Sequence, residues 1–122
     1  MKINFDEGQP IFQQVAEMIE DDILSETYKE EDQVMSVSQF VKTFEINPAT
    51  VVKGINLLVM EGILYKKRGL GMFVAKEAKE RIMNKRRKRF YTDYVMKMLD
   101  EANKLQLTKE DVVKMINEDG RS

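Results

Sequence analysis

Residues 66 to 75 read KKRGLGMFVA, three basic side chains followed by two glycines one residue apart and then an apolar run. Positive charge beside a flexible tip suits two kinds of chemistry. A glycine-rich loop can cradle the phosphates of a nucleotide, or a charged ribbon tip can lie against the phosphate backbone of a nucleic acid. The cradle needs a strand before its glycines and a helix N-terminus after them. Here the glycines fall between two short β-rich runs, ILYKK and MFVA, and no Gly-Lys-Ser/Thr follows. Lys66, Lys67 and Arg68 at the base of a ribbon tip therefore fit contact with a DNA backbone or minor groove.

Other chemistries lack their residues. With no Cys and no His, neither a disulfide framework nor a thiolate or imidazole metal site can be built, and cysteine and serine–histidine catalysis are excluded. The carboxylates lie along faces of amphipathic segments without a metal-ligand spacing, so no metal, no cofactor and no enzymatic activity are expected. No apolar run approaches the roughly 18 residues that a membrane span requires. The opening MKINFDEGQP turns acidic where a secretory signal would need its apolar segment, so the cytoplasm is the expected location. At 122 residues the chain suits one compact domain with a short extension.

The net charge of −1 conceals a strong asymmetry. Residues 1 to 35 hold 10 acidic and 2 basic side chains, whereas residues 36 to 75 hold 2 and 5, and residues 76 to 90 hold 2 and 8. Residues 91 to 122 return to 7 acidic and 5 basic. A basic zone thus occupies the middle of the chain, and a local patch of that kind, more than the total, sets attraction to phosphates.

The elements that must position this zone are legible in the periodicity. After an extended start, residues 10 to 24 place Ile11, Val15, Met18, Ile19 and Ile23 at helical spacing, with Glu17, Glu20 and Asp21 on the opposite face. A polar, irregular loop follows and ends at Ser36. There Ser-Val-Ser-Gln reads as a capping box that opens a short helix through Phe40, Val41 and Phe44. Asn47-Pro48 starts a third helix that runs to about Glu61, with a buried stripe of Val51, Ile55, Leu58 and Val59 and an opposite side carrying Ala49, Lys53 and Asn56. Gly62 ends it, and the hairpin with RGLG at its turn comes next.

Three helices followed by a hairpin is the order of a winged helix-turn-helix: mostly α with a small β-hairpin. From Pro10 to Ala75, the stretches PIFQQVAEMIEDDIL, VMSVSQFVKTFEINPATVVKGINLLVMEGIL and RGLGMFVA resemble the DNA-binding domain of GntR-family bacterial transcription regulators. The Asn-Pro-x-Thr-Val start and short tail resemble the YtrA-like subfamily. The resemblance implies a phosphate contact for Ser36, which also caps its helix, and major-groove contacts for Asn47, Ala49, Thr50, Val52, Lys53 and Asn56. It implies wing contacts for Lys67, Arg68, Gly69 and Gly71, with Phe73 in the core. Ser38, Pro48 and Val52 stand where many relatives carry Arg, which implies fewer hydrogen bonds to bases and a share for apolar contact with thymine methyls.

Past the wing, residues 77 to 107 contain no Pro or Gly and are expected to form one long helix. Its run KRRKRF, residues 85 to 90, suits a supplement to the DNA-facing surface or a partner for the acidic first helix, with no aromatic stacking platform around it. Tyr91, Val95, Met98, Ala102 and Leu105 then repeat at spacings 4, 3, 4, 3, a short heptad seam. Thr108 opens a last helix by a capping box with Asp111, and Val112, Val113 and Ile116 form its apolar side, with Met96, Met98 and Met115 as packing residues. So few residues cannot bury that face internally, so a second copy of the chain is the expected cover, the alternative being that the two helices fold back on the domain. The domain organisation is accordingly 1–76 for DNA binding and 77–122 for a two-helix dimerisation tail. The expected function is a sequence-specific regulator, a repressor, that binds a pseudo-palindromic double-stranded DNA operator as a homodimer, with room for a small-molecule effector between tail helices that the residues do not name. A winged-helix protein-interaction module, or an RNA-binding adaptor using residues 85 to 90, are the alternatives.

Overall fold

The computed structural model describes residues 8–121, and the extended start expected at residues 1–7 lies outside them. Two compact units follow one another, the first running to Asn84 and the second beginning at Lys85.

The first unit opens with α1, Ile11–Leu24, whose initial turn is closed by the Pro10 carbonyl accepting from the backbone N–H groups of Gln13 and Gln14. Val15, Met18, Ile19 and Ile23 are buried as their spacing requires. Glu20, which the same spacing assigns to the outer face, is instead only 1% exposed. The core that α1 belongs to also receives later elements, down to Ala78 and Ile82. No buried side-chain nitrogen or oxygen among the described residues lacks a hydrogen-bond partner, so the carboxylate is satisfied there.

The second helix, α2, spans Val37–Phe44 and begins with the expected reciprocal capping box: Ser36 Oγ accepts from the Gln39 backbone N–H, and the Gln39 side chain accepts from the Ser36 N–H. Its one fully buried residue is Phe40, whose ring lies 5.4 Å from that of Phe44. Glu45 closes α2 in the left-handed region at φ 54°, and Ile46 tucks into the core before Asn47 and Pro48 open α3, Pro48–Met60. The buried stripe of α3 is Val51, Gly54, Ile55 and Leu58, with Val59 only half-buried.

Gly54 belongs to the stripe for a steric reason. A Cβ built there would meet the Phe12 carbonyl oxygen at 2.7 Å and the Val15 Cβ at 3.0 Å, so α1 and α3 approach closely enough to exclude any side chain. The helix ends in a Schellman arrangement, with Gly62 at φ 74°, its N–H donating to the Val59 carbonyl and that of Ile63 to the Leu58 carbonyl.

Strands β1, Leu64–Lys67, and β2, Gly71–Val74, pair antiparallel with Leu64 opposite Val74 and Lys67 opposite Gly71. The preceding loop is not wholly irregular, as its polarity suggested. Gln33 forms an isolated bridge to Phe73, Val34 N–H donates to the Met72 carbonyl, and Val74 N–H donates to the Asp32 carbonyl. The far edge of β2 is thus paired by backbone alone, which leaves no alternating pattern in the side chains.

Helix α4, Ala78–Phe90, contributes Ala78 and Ile82 to the first core, and the division between units falls within it. The chain stays helical through a π-helical segment, Tyr91–Val95, and α5, Met96–Lys104, but stops short of the expected Leu107. Gln106 adopts φ 59° while Leu107 N–H donates to the Ala102 carbonyl at 2.8 Å, a Schellman ending without the glycine that normally signals it. The last helix, α6, Lys109–Glu118, begins with the expected Thr108/Asp111 capping box.

Replacing Gly54 with Ala should lower unfolding stability by about 1–3 kcal/mol through overpacking against the Phe12 carbonyl, even though Ala is the better helix former by about 1 kcal/mol. Urea denaturation checks this; unchanged or raised stability would show that α1 can move away at no cost.

Candidate nucleic-acid interface

The outer side of α3 is built from its cap upward. Asn47 Oδ1 accepts from the Ala49 backbone N–H at 2.8 Å, which uses the carbonyl oxygen for capping and leaves the amide N–H groups to donate elsewhere. Ala49, Val52, Lys53 and Asn56 are exposed and recur at helical spacing on the side opposite Val51 and Ile55, while Thr50 is half-buried at the margin. Lys53 has a partner that its sequence position does not disclose: its Nζ lies 4.1 Å from the centre of the Phe12 ring. This cation–π contact draws the ammonium toward α1.

At the start of α2, Ser36 and Ser38 are both exposed. The Ser36 oxygen accepts within the capping box, and its hydroxyl hydrogen is still able to donate to a phosphate.

The hairpin sorts its three basic residues by pleat and turn. Lys67 is held on the outer face, its Nζ 4.2 Å from the Phe73 ring centre, 5.7 Å from that of Tyr65 and 3.9 Å from the Glu31 carboxylate. Lys66 points to the other side, and Arg68 and Gly69 form the exposed tip, where Arg68 makes no ion pair with any described residue. The Tyr65 hydroxyl donates to the Glu31 carboxylate, and that hydrogen bond holds the phenol above its ordinary pKa. Phe73, expected in the core, is instead half-buried on the outer face, 6.2 Å from the Tyr65 ring. Alternation decides this: Leu64 and Val74 take the inner positions, so their neighbours Tyr65 and Phe73 must face outward.

Two of the wing positions need glycine for different reasons. Gly69, at φ 78°, has open space around it and is required by its backbone angle alone. Gly71, at φ 117°, would also place a Cβ 2.8 Å from Gln33 Nε2. That amide donates to the Leu70 carbonyl at 2.6 Å and so ties the turn to the segment before α2. Gln33, Glu31 and Phe12 all shape this surface, and none carries a signal that sequence reasoning could have used, because each acts through a partner distant in sequence.

In the second unit, Ala102 and Val112 are buried where α5 meets α6. Met98, Leu105, Met115 and Ile116 join them around a groove of about 550 Å³. Val113 lies outside this groove, beside Lys109 and Asn117. Tyr91 is exposed and Val95 half-buried in the π-helical segment, and neither lines the groove. The wider π turn shifts the heptad phase at that point, so the expected seam is continuous only from Met98 onward. Aromatic rings follow the basic run at its C-terminal end: Phe90, Tyr91 and Tyr94 are all exposed, with Phe90 and Tyr94 5.6 Å apart. No element of the second unit covers them. Arg89 pairs with Asp93 at 4.0 Å, while Arg87 and Lys88 stay exposed.

Among the described residues there is no group of His, Cys, Asp or Glu able to hold a metal ion, and no helix long and apolar enough to cross a membrane.

Three helices packed on one core, the second and third joined by a tight turn, and a two-stranded wing edged by Gln33 define a winged helix-turn-helix protein. Residues 11–74, more than half of the chain, match the family described as bacterial regulatory proteins, gntR family, and the chain belongs to that family. The family is one of transcription regulators, not of enzymes, and the matched residues 11–74 carry its DNA-binding domain. The chain is 30% identical over 83 residues to the HTH-type transcriptional repressor NagR of Bacillus subtilis (strain 168), covering 68% of this chain and about a third (34%) of that relative's length. Among solved structures, a GntR family transcriptional regulator from Listeria monocytogenes superposes with TM-score 0.75 at 26% identity over 94% of this chain and 99% of that one. YtrA from Sulfolobus acidocaldarius, a GntR-family transcription factor, shares the fold with TM-score 0.58 at 23% identity, covering 96% and 93%. The DNA-binding domain of AraR in complex with operator ORR3 matches with TM-score 0.55 at 27% identity over 62% of this chain and 90% of that one.

Capping and phosphate contact can be separated at Ser36. Ser36→Ala should cost about 1 kcal/mol of stability through loss of the cap. Ser36→Asp keeps a capping oxygen and should retain stability, yet it sets a carboxylate against the DNA backbone and should abolish binding. Thermal unfolding paired with a mobility shift measures both; full DNA affinity in Ser36→Asp would restrict Ser36 to its cap.

Proposed function

We propose that this protein is a transcriptional repressor that binds a pseudo-palindromic double-stranded operator in the cytoplasm as a homodimer. Its DNA-binding part is residues 1–76 and its dimerisation tail residues 77–122. The observation that carries the reading is the exposed side of α3, with Asn47, Ala49, Val52, Lys53 and Asn56, in one unit with a turn-locked wing whose Arg68 is unpaired among the described residues. The α3 residues read the major groove, with Ala49 and Val52 against thymine methyls and Asn56 donating to or accepting from base edges. Ser36, Ser38 and Arg68 hold the backbone, and Gly69 and Gly71 allow the wing to approach it. NagR, named a repressor, and AraR, solved on an operator, support this assignment.

Dimerisation rests on the tail. Leu105, Met115 and Ile116 are more than half exposed around the groove, an uncovered apolar surface that a second copy would bury. A single winged helix reads one half-site, so a two-fold assembly reads two and adds their energies. In this reading Met98, Leu105, Met115 and Ile116 form the contact over a floor of the buried Ala102 and Val112, with Tyr91, Val95 and Val113 at its edges.

A second reading draws on Phe90, Tyr91 and Tyr94 beside Arg87 and Lys88, a combination that also suits stacking on single-stranded nucleic acid. Competition of operator binding by single-stranded RNA separates the two, since displacement at equal concentration favours the second.

Removing the charge at Arg68 should weaken binding to all duplexes and reduce the salt dependence by about one counterion. Asn56→Ala should instead change which operators bind, by about 1–3 kcal/mol per lost base contact. Mobility shifts across a salt series test both, and wild-type behaviour in the two variants would end the DNA reading.

Leu105→Asp combined with Ile116→Asp should give a folded monomer that retains non-specific DNA binding and loses most operator affinity. Sedimentation decides the assembly. An intact dimer would place the contact elsewhere, and a monomer with full operator affinity would show that two-fold reading is not used.

A further inference from the structure

At the tip of the wing, between Gly69 and Gly71, sits Leu70, an apolar residue that is 64% exposed. It takes no part in the hydrophobic core or in the layer packed against it, so stability does not account for it. Its backbone is nonetheless held at both ends. The Leu70 N–H donates to the Lys67 carbonyl at 2.9 Å, and its carbonyl accepts from Gln33 Nε2 at 2.6 Å. A Cβ at position 71 would strike that same amide, so the glycine beside Leu70 makes room for the clamp. An exposed leucine on a mobile loop would be ordinary surface, but one fixed at the end of a cationic ribbon, next to the unpaired Arg68, is a presented side chain.

We infer that Leu70 is a wedge that enters the minor groove and partly unstacks a base step, and that Gln33 is the residue that positions it. The inference rests on the operator-binding reading above. Apolar side chains inserted from the minor groove act on steps that open easily, so the wedge would select pyrimidine–purine steps such as TA in the flank beyond the bases that α3 reads. Arg68 beside it would anchor the adjacent phosphates, and in narrow A·T-rich grooves the enhanced negative potential favours its approach. The wing then contributes sequence selectivity through deformability, at positions where no hydrogen bond to a base is made.

The test is selection of duplexes from a randomised pool by the full chain, in parallel for wild type, Leu70→Ala, Leu70→Met and Gln33→Glu, followed by binding to a wild-type-selected duplex carrying 2-aminopurine at the flanking step. Wild type and Leu70→Met should enrich flexible flanking steps and raise 2-aminopurine fluorescence on binding. Leu70→Ala should keep the same half-site, lose the flanking enrichment and the fluorescence rise, and bind about ten-fold more weakly, the scale of one leucyl side chain withdrawn from a buried contact. Gln33→Glu, which cannot donate to the Leu70 carbonyl, should follow Leu70→Ala; if it behaves as wild type, the positioning role of Gln33 is wrong. Unchanged flanks and fluorescence in Leu70→Ala would overturn the wedge while leaving operator recognition intact. Failure of the wild type to enrich any sequence would overturn operator recognition itself, and the wedge with it.

Discussion

Contact between α1 and α3 at Gly54 governs the first unit. With the Phe12 carbonyl oxygen only 2.7 Å from where a Cβ at position 54 would stand, the two helices meet backbone to side-chain-free backbone. A mid-helix glycine weakens α3 by about 1 kcal/mol relative to alanine. Close packing of Val15, Ile19, Val51, Ile55 and Leu58 around the contact offsets that loss. Because this side of α3 is committed to α1, the other side is free to present Ala49, Val52 and Asn56 as a rigid surface. The same approach brings Phe12 under the Lys53 ammonium, so the packing constraint also orients one of the cations on the candidate reading face.

The wing follows a related logic with weaker forces. Two short strands alone are marginal, and here they are supported from β2's far edge by the backbone of residues 31–34 and from inside by Leu64 and Val74. Charge is distributed by geometry. Lys67 is neutralised in part by Glu31 and lies over aromatic rings, whereas Arg68, one residue later, makes no ion pair with any described acid. A basic tripeptide thereby becomes one structural lysine and a free guanidinium at the tip, with Lys66 on the opposite side. Net charge along the sequence counts all three alike, while the potential felt by a phosphate depends on which remain unpaired.

In the tail, a π-helical segment accomplishes something that a regular helix would not. By widening the turn at Tyr91–Val95 it separates the aromatic residues near the basic run from the apolar positions that begin at Met98. Two surfaces of different chemistry, one aromatic and cationic, the other aliphatic and grooved, arise from a run whose heptad spacing alone would join them into one.

Local chemistry determined much of this protein from the amino-acid order alone. Both capping boxes, the Asn47-Pro48 helix start, the Gly62 ending and the glycine-bearing hairpin are set by residues within a few positions of one another, and such short-range hydrogen bonding and steric rules are readable without tertiary information. The apolar periods of α1 and α3 likewise marked the part of the core that those two helices supply, Ala16 apart, and the element order led to the family. What only the tertiary structure decided are the relations between residues far apart in the chain: Phe12 with Lys53, Gln33 with Leu70 and Gly71, Glu31 with Lys67 and Tyr65, and the burial of Glu20. No local pattern encodes these, since a polar side chain that packs against a distant partner looks in sequence like one that faces water. The Gln106 helix ending and the π-helical segment escaped for a related reason. Each places residues in a conformation that their own types do not signal, and the local backbone hydrogen bonds define it.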